Sequence, residues 1–425
     1  MTRIRISPER PAIDTTLEVI VDGLPTAAAV TVRATSSDAG WRTMASCATF
    51  EADATGSVDL TSAVPTSGTY GDADPMGLLW SMSPVPHAAA DRPQGILPPS
   101  SLALTAELDG VAVATATVER LRLPDDVART VVREHGLVGT LFHPIDDGPR
   151  PGIILLGGSE GGLHETDAAL LAAHGFAVLA LAYFGTDGVP AFLVDIPLEY
   201  FETAIGILQV HPAVAGERIG VIGGSRGGEA ALLIGSTFPT VGAVVSTVGS
   251  GVLTQGIGPG RDLLEMAGTP VASWTWRGER LPYLRNVITP ELRRQMTDGD
   301  PVELRLVFEP GLSEAAQVEA SAIPVRHVRG PVLLVSAGDD RIWPCGPLSE
   351  VAVRGLAAAG IPHEHLHVPD AGHPIAPPPF GPSTDLLSPG PGVTFAMGGT
   401  PSANARARAA AWQRSIDFLG DALGA

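Results

Sequence analysis

The sequence contains no lysine: every one of its 27 basic residues is arginine, set against 46 carboxylates and a formal charge of -19. That absence excludes any mechanism built on a lysine Schiff base or on the lysine of a phosphate-binding loop. The negative field repels phosphate backbones and anionic lipid, so neither nucleic acid nor a membrane surface is an expected partner. Cysteine is almost as scarce. Cys47 and Cys345 stand alone and far apart, which leaves no disulfide framework or zinc cluster and makes the cytoplasm the expected compartment. No stretch offers the roughly 18 uninterrupted apolar residues of a membrane span, and the charged first residues carry no apolar export core. What the chain does have is length, 425 residues with 44% hydrophobic, enough for two or three units with cores of their own. Nothing in it signals an oligomeric state.

Two textures follow one another. From residue 16 to about 118 apolar residues alternate, as in Leu17, Val19, Val21 and again in Val30, Val32, Ala34, the period of short antiparallel strands. The runs 102–108 and 111–118 flank Asp109 and Gly110, a pair suited to the tight turn of a hairpin. After Pro124 apolar runs at 153–156, 177–182, 219–222, 243–245 and 332–336 alternate with helical spacing at 166–174, 198–210 and 229–237. Such runs suit parallel strands buried on both faces and joined by helices. The expected division is a β region over 1–124 and a doubly wound, mostly parallel α/β region over 125–425, with an insertion at about 251–322.

The most specific motif is Gly223-Gly224-Ser225-Arg226-Gly227, between the run ending at Ile222 and an Ala- and Leu-rich helix. A G-x-S-x-G turn in that context lifts the serine hydroxyl above the carboxyl end of a sheet and aims the Arg226 N–H at a developing oxyanion. Serine is a weak nucleophile unaided, so a carboxylate and a histidine must follow in chain order. Asp340 lies just beyond the 332–336 run, with Asp339 as the competing choice, and His373 lies in Asp370-Ala371-Gly372-His373-Pro374. Gly158 and Ser159, in the glycine-rich loop after 153–156, are placed to supply the second oxyanion donor. A nucleotide-loop reading fails on glycine spacing and on the missing acidic residue after the next strand. His363, His365 and His367 alternate like a metal site, yet no H-E-x-x-H or cysteine pair accompanies them, and they read as a wetter strand face. No metal and no cofactor is expected. In the insertion, Trp274, Trp276 and Arg277 are read as candidate substrate-binding residues, with packing and solvated surface as the plain alternative.

The motifs closely resemble those of the acyl-CoA thioesterase and bile-acid-CoA:amino-acid N-acyltransferase (BAAT) family, over nearly the whole chain. The resemblance is carried by Asp74-Pro75-Met76-Gly77-Leu78-Leu79-Trp80-Ser81-Met82, by Leu181-Ala182-Tyr183-Phe184, by Gly372-His373-Pro374-Ile375-Ala376-Pro377-Pro378 and by Gly398-Gly399 before Ala411-Trp412. It implies an immunoglobulin-like β-sandwich ahead of an α/β-hydrolase, with Ser225, Asp340 and His373 as nucleophile, acid and base. It also implies an acyl thioester substrate, on CoA or a carrier protein. Within the family a serine nucleophile goes with hydrolysis and cysteine with transfer, so hydrolysis is expected and acyl transfer to an amine or hydroxyl is the alternative. Two positions depart from the pattern: Arg226 stands where relatives commonly have lysine, and Glu160 where they often have glycine.

Overall fold

The computed structural model describes residues 1–37, 42–89, 96–146, 148–390 and 392–424. They form two compact units, Met1–Asp125 with Pro378–Ser383, and Asp126–Pro377 with Thr384–Ala425.

The first unit is built of antiparallel sheets. Strands Arg3–Ser7, Glu18–Asp22 and Ser57–Asp59 form one, and Ala29–Ser37, Arg42–Glu51, Ser100–Leu108 and Val111–Arg120 form the body of the other. Period-two alternation buries Val19 and Val21 on one strand and Val30, Val32 and Ala34 on another, while their neighbours stay half-buried or exposed. The hairpin turns at Asp109 and Gly110, with φ of 49° and 77°, and Leu108 pairs with Val111. Both turn residues sit in the left-handed region that a two-residue hairpin loop demands. The string 74–82 folds into a helical turn, Gly77–Trp80. Asp74 holds it at both ends, accepting from Met76 N and from Trp80 Nε1, each at 2.8 Å.

This unit also takes in Pro378–Ser383, although in sequence they lie within the 125–425 region. Arg120 Nη1 donates to Phe380 O at 3.0 Å, and Ser383 N donates to Trp80 O at 2.9 Å. A buried guanidinium needs acceptors, and backbone carbonyls of a distant segment provide them without leaving any local sequence pattern.

The second unit is organised on eight strands: β1 (Val127–Val132), β2 (Val138–Pro144), β3 (Arg150–Leu156), β4 (Ala177–Ala182), β5 (Val214–Gly224), β6 (Val241–Thr247), β7 (Val332–Ala337) and β8 (His363–Val368). Their order is β1-β2-β4-β3-β5-β6-β7-β8. Strand β2 runs antiparallel to both neighbours and the rest are parallel, which is the α/β-hydrolase sheet. Every residue of β4, β6 and β7 is buried, as parallel strands covered on both faces must be. The covering helices are α1 (Glu165–Ala173), α2 (Glu199–Val210), α3 (Arg226–Thr237), α4 (Cys345–Ala359) and α5 (Pro401–Leu423). Strands β3 to β7 contain the five apolar runs; β1 and β2 carry too few apolar residues in sequence to stand out. Between β6 and β7 the chain folds into short elements such as Leu263–Gly268, Pro290–Asp298 and the strand Trp274–Trp276.

Candidate active site

Strand β5 ends at Gly224 and α3 begins at Arg226, so Ser225 alone makes the turn, with φ 55° and ψ -121°. A non-glycine residue reaches that conformation only when its surroundings impose it. Here Ser225 N donates to Thr247 O at 2.8 Å, and Ser225 O accepts from Gly228 N at 2.9 Å. The flanking glycines answer to crowding: a Cβ on Gly223 would lie 2.3 Å from Gly227 O, and one on Gly227 would lie 2.5 Å from Leu156 O. Any side chain there would break the elbow apart.

His373 Nε2 stands 3.1 Å from Ser225 Oγ, and its Nδ1 stands 2.7 Å from Asp340 Oδ2. Asp340 is buried, and its other oxygen accepts from Ile342 N at 2.9 Å and Trp343 N at 3.2 Å, which fixes the carboxylate plane. The imidazole is held from behind, with its backbone N donating to Met397 O at 2.8 Å and the Trp343 ring edge-on at 6.4 Å. Asp339, the competing choice, accepts instead from Gly399 N at 2.9 Å and Arg341 Nε at 3.1 Å; it braces the 398–399 turn. Serine, imidazole and carboxylate in this chain of contacts can pass the hydroxyl proton to the ring while the aspartate holds the required tautomer.

A cavity of about 800 Å³ is lined by Ser225, Arg226 and His373, with Gly158 and Ser159 beside them. Its far walls are largely apolar and come mostly from the segment between β6 and β7 and from the paired strands Leu386–Gly390 and Val393–Ala396, through residues such as Leu263, Met266, Phe308 and Phe395. Tyr183 supports the glycine-rich loop by donating its hydroxyl to Gly157 O at 2.8 Å. Gly158 N donates to Glu160 Oε1 at 2.9 Å.

Trp274, Trp276 and Arg277 do not line this cavity, a correction to the sequence reading. Trp274 is buried, stacks on Tyr183 at 5.7 Å and donates Nε1 to Glu229 Oε1 at 2.8 Å. An indole this deep needs an acceptor for its N–H, and the nearest is on α3. Trp276 packs edge-on against Phe238 at 5.6 Å, and the Arg277 guanidinium lies 5.2 Å over the Trp276 ring. The segment between β6 and β7 does wall the cavity, but mostly with aliphatic and phenyl groups that carry no sequence signal, beside the amides of Gln255 and Asn286. His365 and His367 both bond Ser336 Oγ, at 2.7 and 2.8 Å. Among the described residues no group of three or more His, Cys, Asp or Glu is arranged to hold a metal.

Residues 196–425 match the family model described as BAAT / acyl-CoA thioester hydrolase C terminal, and 14–134 match the acyl-CoA thioester hydrolase/BAAT N-terminal region. The chain belongs to the acyl-CoA thioester hydrolase/BAAT family. Among its relatives, acyl-coenzyme A thioesterase 6 of Mus musculus is 33% identical over 96% of this chain and 94% of its own. Acyl-coenzyme A thioesterase 1 of Homo sapiens is 32% identical over 97% and 94%. The peroxisomal succinyl-coenzyme A thioesterase of Mus musculus is 31% identical over 98% and 95%. A putative dienelactone hydrolase structure from Klebsiella pneumoniae aligns at TM-score 0.42 with 14% identity, over 69% of this chain and 98% of that one.

In this family member the residue that sequence reasoning missed is Glu229. It has no exposed surface, yet it accepts from Arg226 Nη1 at 2.9 Å, from Thr254 N at 3.1 Å and Thr254 Oγ1 at 2.6 Å, and from Trp274 Nε1. Burial pushes its carboxyl above the ordinary range, against the opposing pull of Arg226, Thr254 and Trp274. The pair ties the first turn of α3 to the insertion, through Thr254 and Trp274. The only trace in sequence is a charge three residues along a helix whose every other neighbour is small or apolar.

Proposed function

We propose that the protein is a serine-dependent acyl-CoA thioesterase. The observation that carries this reading is the contact chain Ser225 Oγ to His373 Nε2 to Asp340 at 3.1 and 2.7 Å, set in the wall of a largely apolar cavity. Kinship with enzymes named acyl-coenzyme A thioesterases supplies the substrate class.

As Ser225 attacks the thioester carbonyl, its proton passes to His373 Nε2, and Asp340 stabilises the imidazolium. The oxyanion is met by the Arg226 N–H and by an N–H of Gly158 or Ser159. Collapse of the tetrahedral intermediate breaks the C–S bond, and the imidazolium returns the proton to the departing thiolate. Water activated by the same histidine then attacks the acyl-serine and releases the acid. The cavity takes the acyl chain. The front unit, with its two antiparallel sheets, is read as an immunoglobulin-like sandwich over 1–124, ahead of a catalytic region over 125–425.

The test is free-thiol release from short, medium and long acyl-CoAs, with and without an amine acceptor, beside Ser225→Ala. Serine-dependent release without acceptor is expected, with turnover falling on the order of a millionfold in the variant. Full turnover by Ser225→Ala would refute the mechanism, and release only with acceptor would make the protein a transferase.

A further inference from the structure

The glycine-rich loop carries a carboxylate on one of its two candidate oxyanion donors. Gly158 N donates to Glu160 Oε1 at 2.9 Å, and the same oxygen lies 2.8 Å from His164 Nε2. His164 Nδ1 in turn lies 3.5 Å from Asp167 Oδ2, and all of these residues line the cavity with Ser225. Burial alone would raise the Glu160 carboxyl, but His164 and the N–H groups of Glu160 and Gly158 outweigh it and hold the group below the ordinary range. Burial alone would lower His164, yet Asp167 and Glu160 bring it up to about 10. Near neutral pH the contact is therefore a carboxylate held by an imidazolium and a backbone N–H. The other cation beside Ser225, Arg226, is itself paired with Glu229, 2.9 Å away.

We propose that Glu160 is a specificity-determining residue: it occupies the Gly158 donor in the resting enzyme and selects against acyl groups that carry a carboxylate close to the thioester. The inference rests on the Ser225 reading above. A thioester carbonyl must take the Gly158 N–H from Glu160 before the oxyanion can form there. The displaced carboxylate stays at the wall, paired with His164, and an acyl group with its own carboxylate a few bonds away must then enter beside it and Asp167. Like charges in a partly dehydrated site repel one another. Because 58% of the Glu160 side chain is exposed, solvent screens the effect to roughly one order of magnitude.

The experiment compares the full-length protein with Glu160→Gln on butyryl-CoA and succinyl-CoA, and measures the rate at which a fluorophosphonate labels Ser225. Glu160→Gln is expected to raise the succinyl-to-butyryl ratio of kcat/KM roughly tenfold. It is also expected to label several-fold faster, because the phosphonyl oxygen needs the same donors. A ratio within about twofold of wild type together with unchanged or slower labelling overturns the proposal. Should Glu160→Gln fold poorly, Glu160→Ala is put through the same two measurements. Ser225→Ala runs alongside: if it retains cleavage, the nucleophile reading falls and the gate with it, whereas a dead Ser225→Ala with an indifferent Glu160→Gln sinks the gate alone.

Discussion

Replacing Glu229 by alanine removes one member of a buried pair and strands everything that pointed at it. The Arg226 side chain is 5% exposed and Glu229 has no exposure, so in the variant the buried guanidinium loses its carboxylate and keeps the neutral acceptors Ser273 Oγ and Thr254 O. The indole N–H of Trp274 and both donors of Thr254 lose their partner as well. Breaking a buried ion pair from one side costs about 3–5 kcal/mol. At roughly 2 °C per kcal/mol for a unit of this size, melting falls by about 6–10 °C. Thermal melting and urea unfolding measure it directly. A second variant separates charge from packing. Arg226→Met with Glu229→Leu removes both charges and keeps the backbone N–H at 226, so it is expected to recover the part of the loss due to the stranded guanidinium, while the donors of Trp274 and Thr254 stay unpaired. A single variant that melts within about 1 °C of wild type, or a double variant less stable than the single, would refute the reasoning.

Exchange of the two adjacent aspartates should have unequal effects on thiol release. Asp340→Asn loses the carboxylate that sets the His373 tautomer and falls by about 10⁴-fold in turnover, whereas Asp339→Asn loosens a turn and falls by less than about tenfold; equal losses would reassign the acid. His164, raised from the ordinary 6.5 to about 10, contributes stability that is fully present below about 6.5 and lost as pH rises through about 10. The stability gap between wild type and His164→Gln should thus shrink from about pH 8 to about pH 10.5, and a gap constant across that window in urea unfolding contradicts the assignment. Tyr183→Phe leaves the buried Gly157 carbonyl without its donor, which costs about 1–3 kcal/mol and should slow turnover by letting the oxyanion loop shift. Unchanged melting and unchanged kcat would show that the loop is held by other means.

The parts legible in sequence were those governed by local rules. A strand buried on both faces has to be continuously apolar, so β3 to β7 announced themselves, and the elbow could be read because only glycine fits positions 223 and 227. The candidate triad could be read because its chemistry demands three residue types in a set order, Asp340 being preferred to its neighbour Asp339, and it is Asp340 that lies 2.7 Å from His373 Nδ1. The cavity wall was not legible. Aromatic residues in an insertion invite the reading of a pocket, yet Trp274 is buried with its N–H on Glu229, and residues without distinction in sequence, such as Leu263 and Met266, take the surface instead. Contacts across long separations, Arg226 with Ser273 and Arg120 with Phe380, follow from the fold and leave no periodic mark.

The six residues Pro378–Ser383 follow His373 by a few positions and yet belong to the front unit. A single cut near residue 125 therefore cannot separate two self-sufficient modules. A catalytic fragment made that way would keep a loop whose partners, Arg120 and Trp80, had been discarded, and the matching front fragment would lack a piece of its own fabric. Moving the front unit whole demands two segments rather than one, residues 1–125 and 378–383.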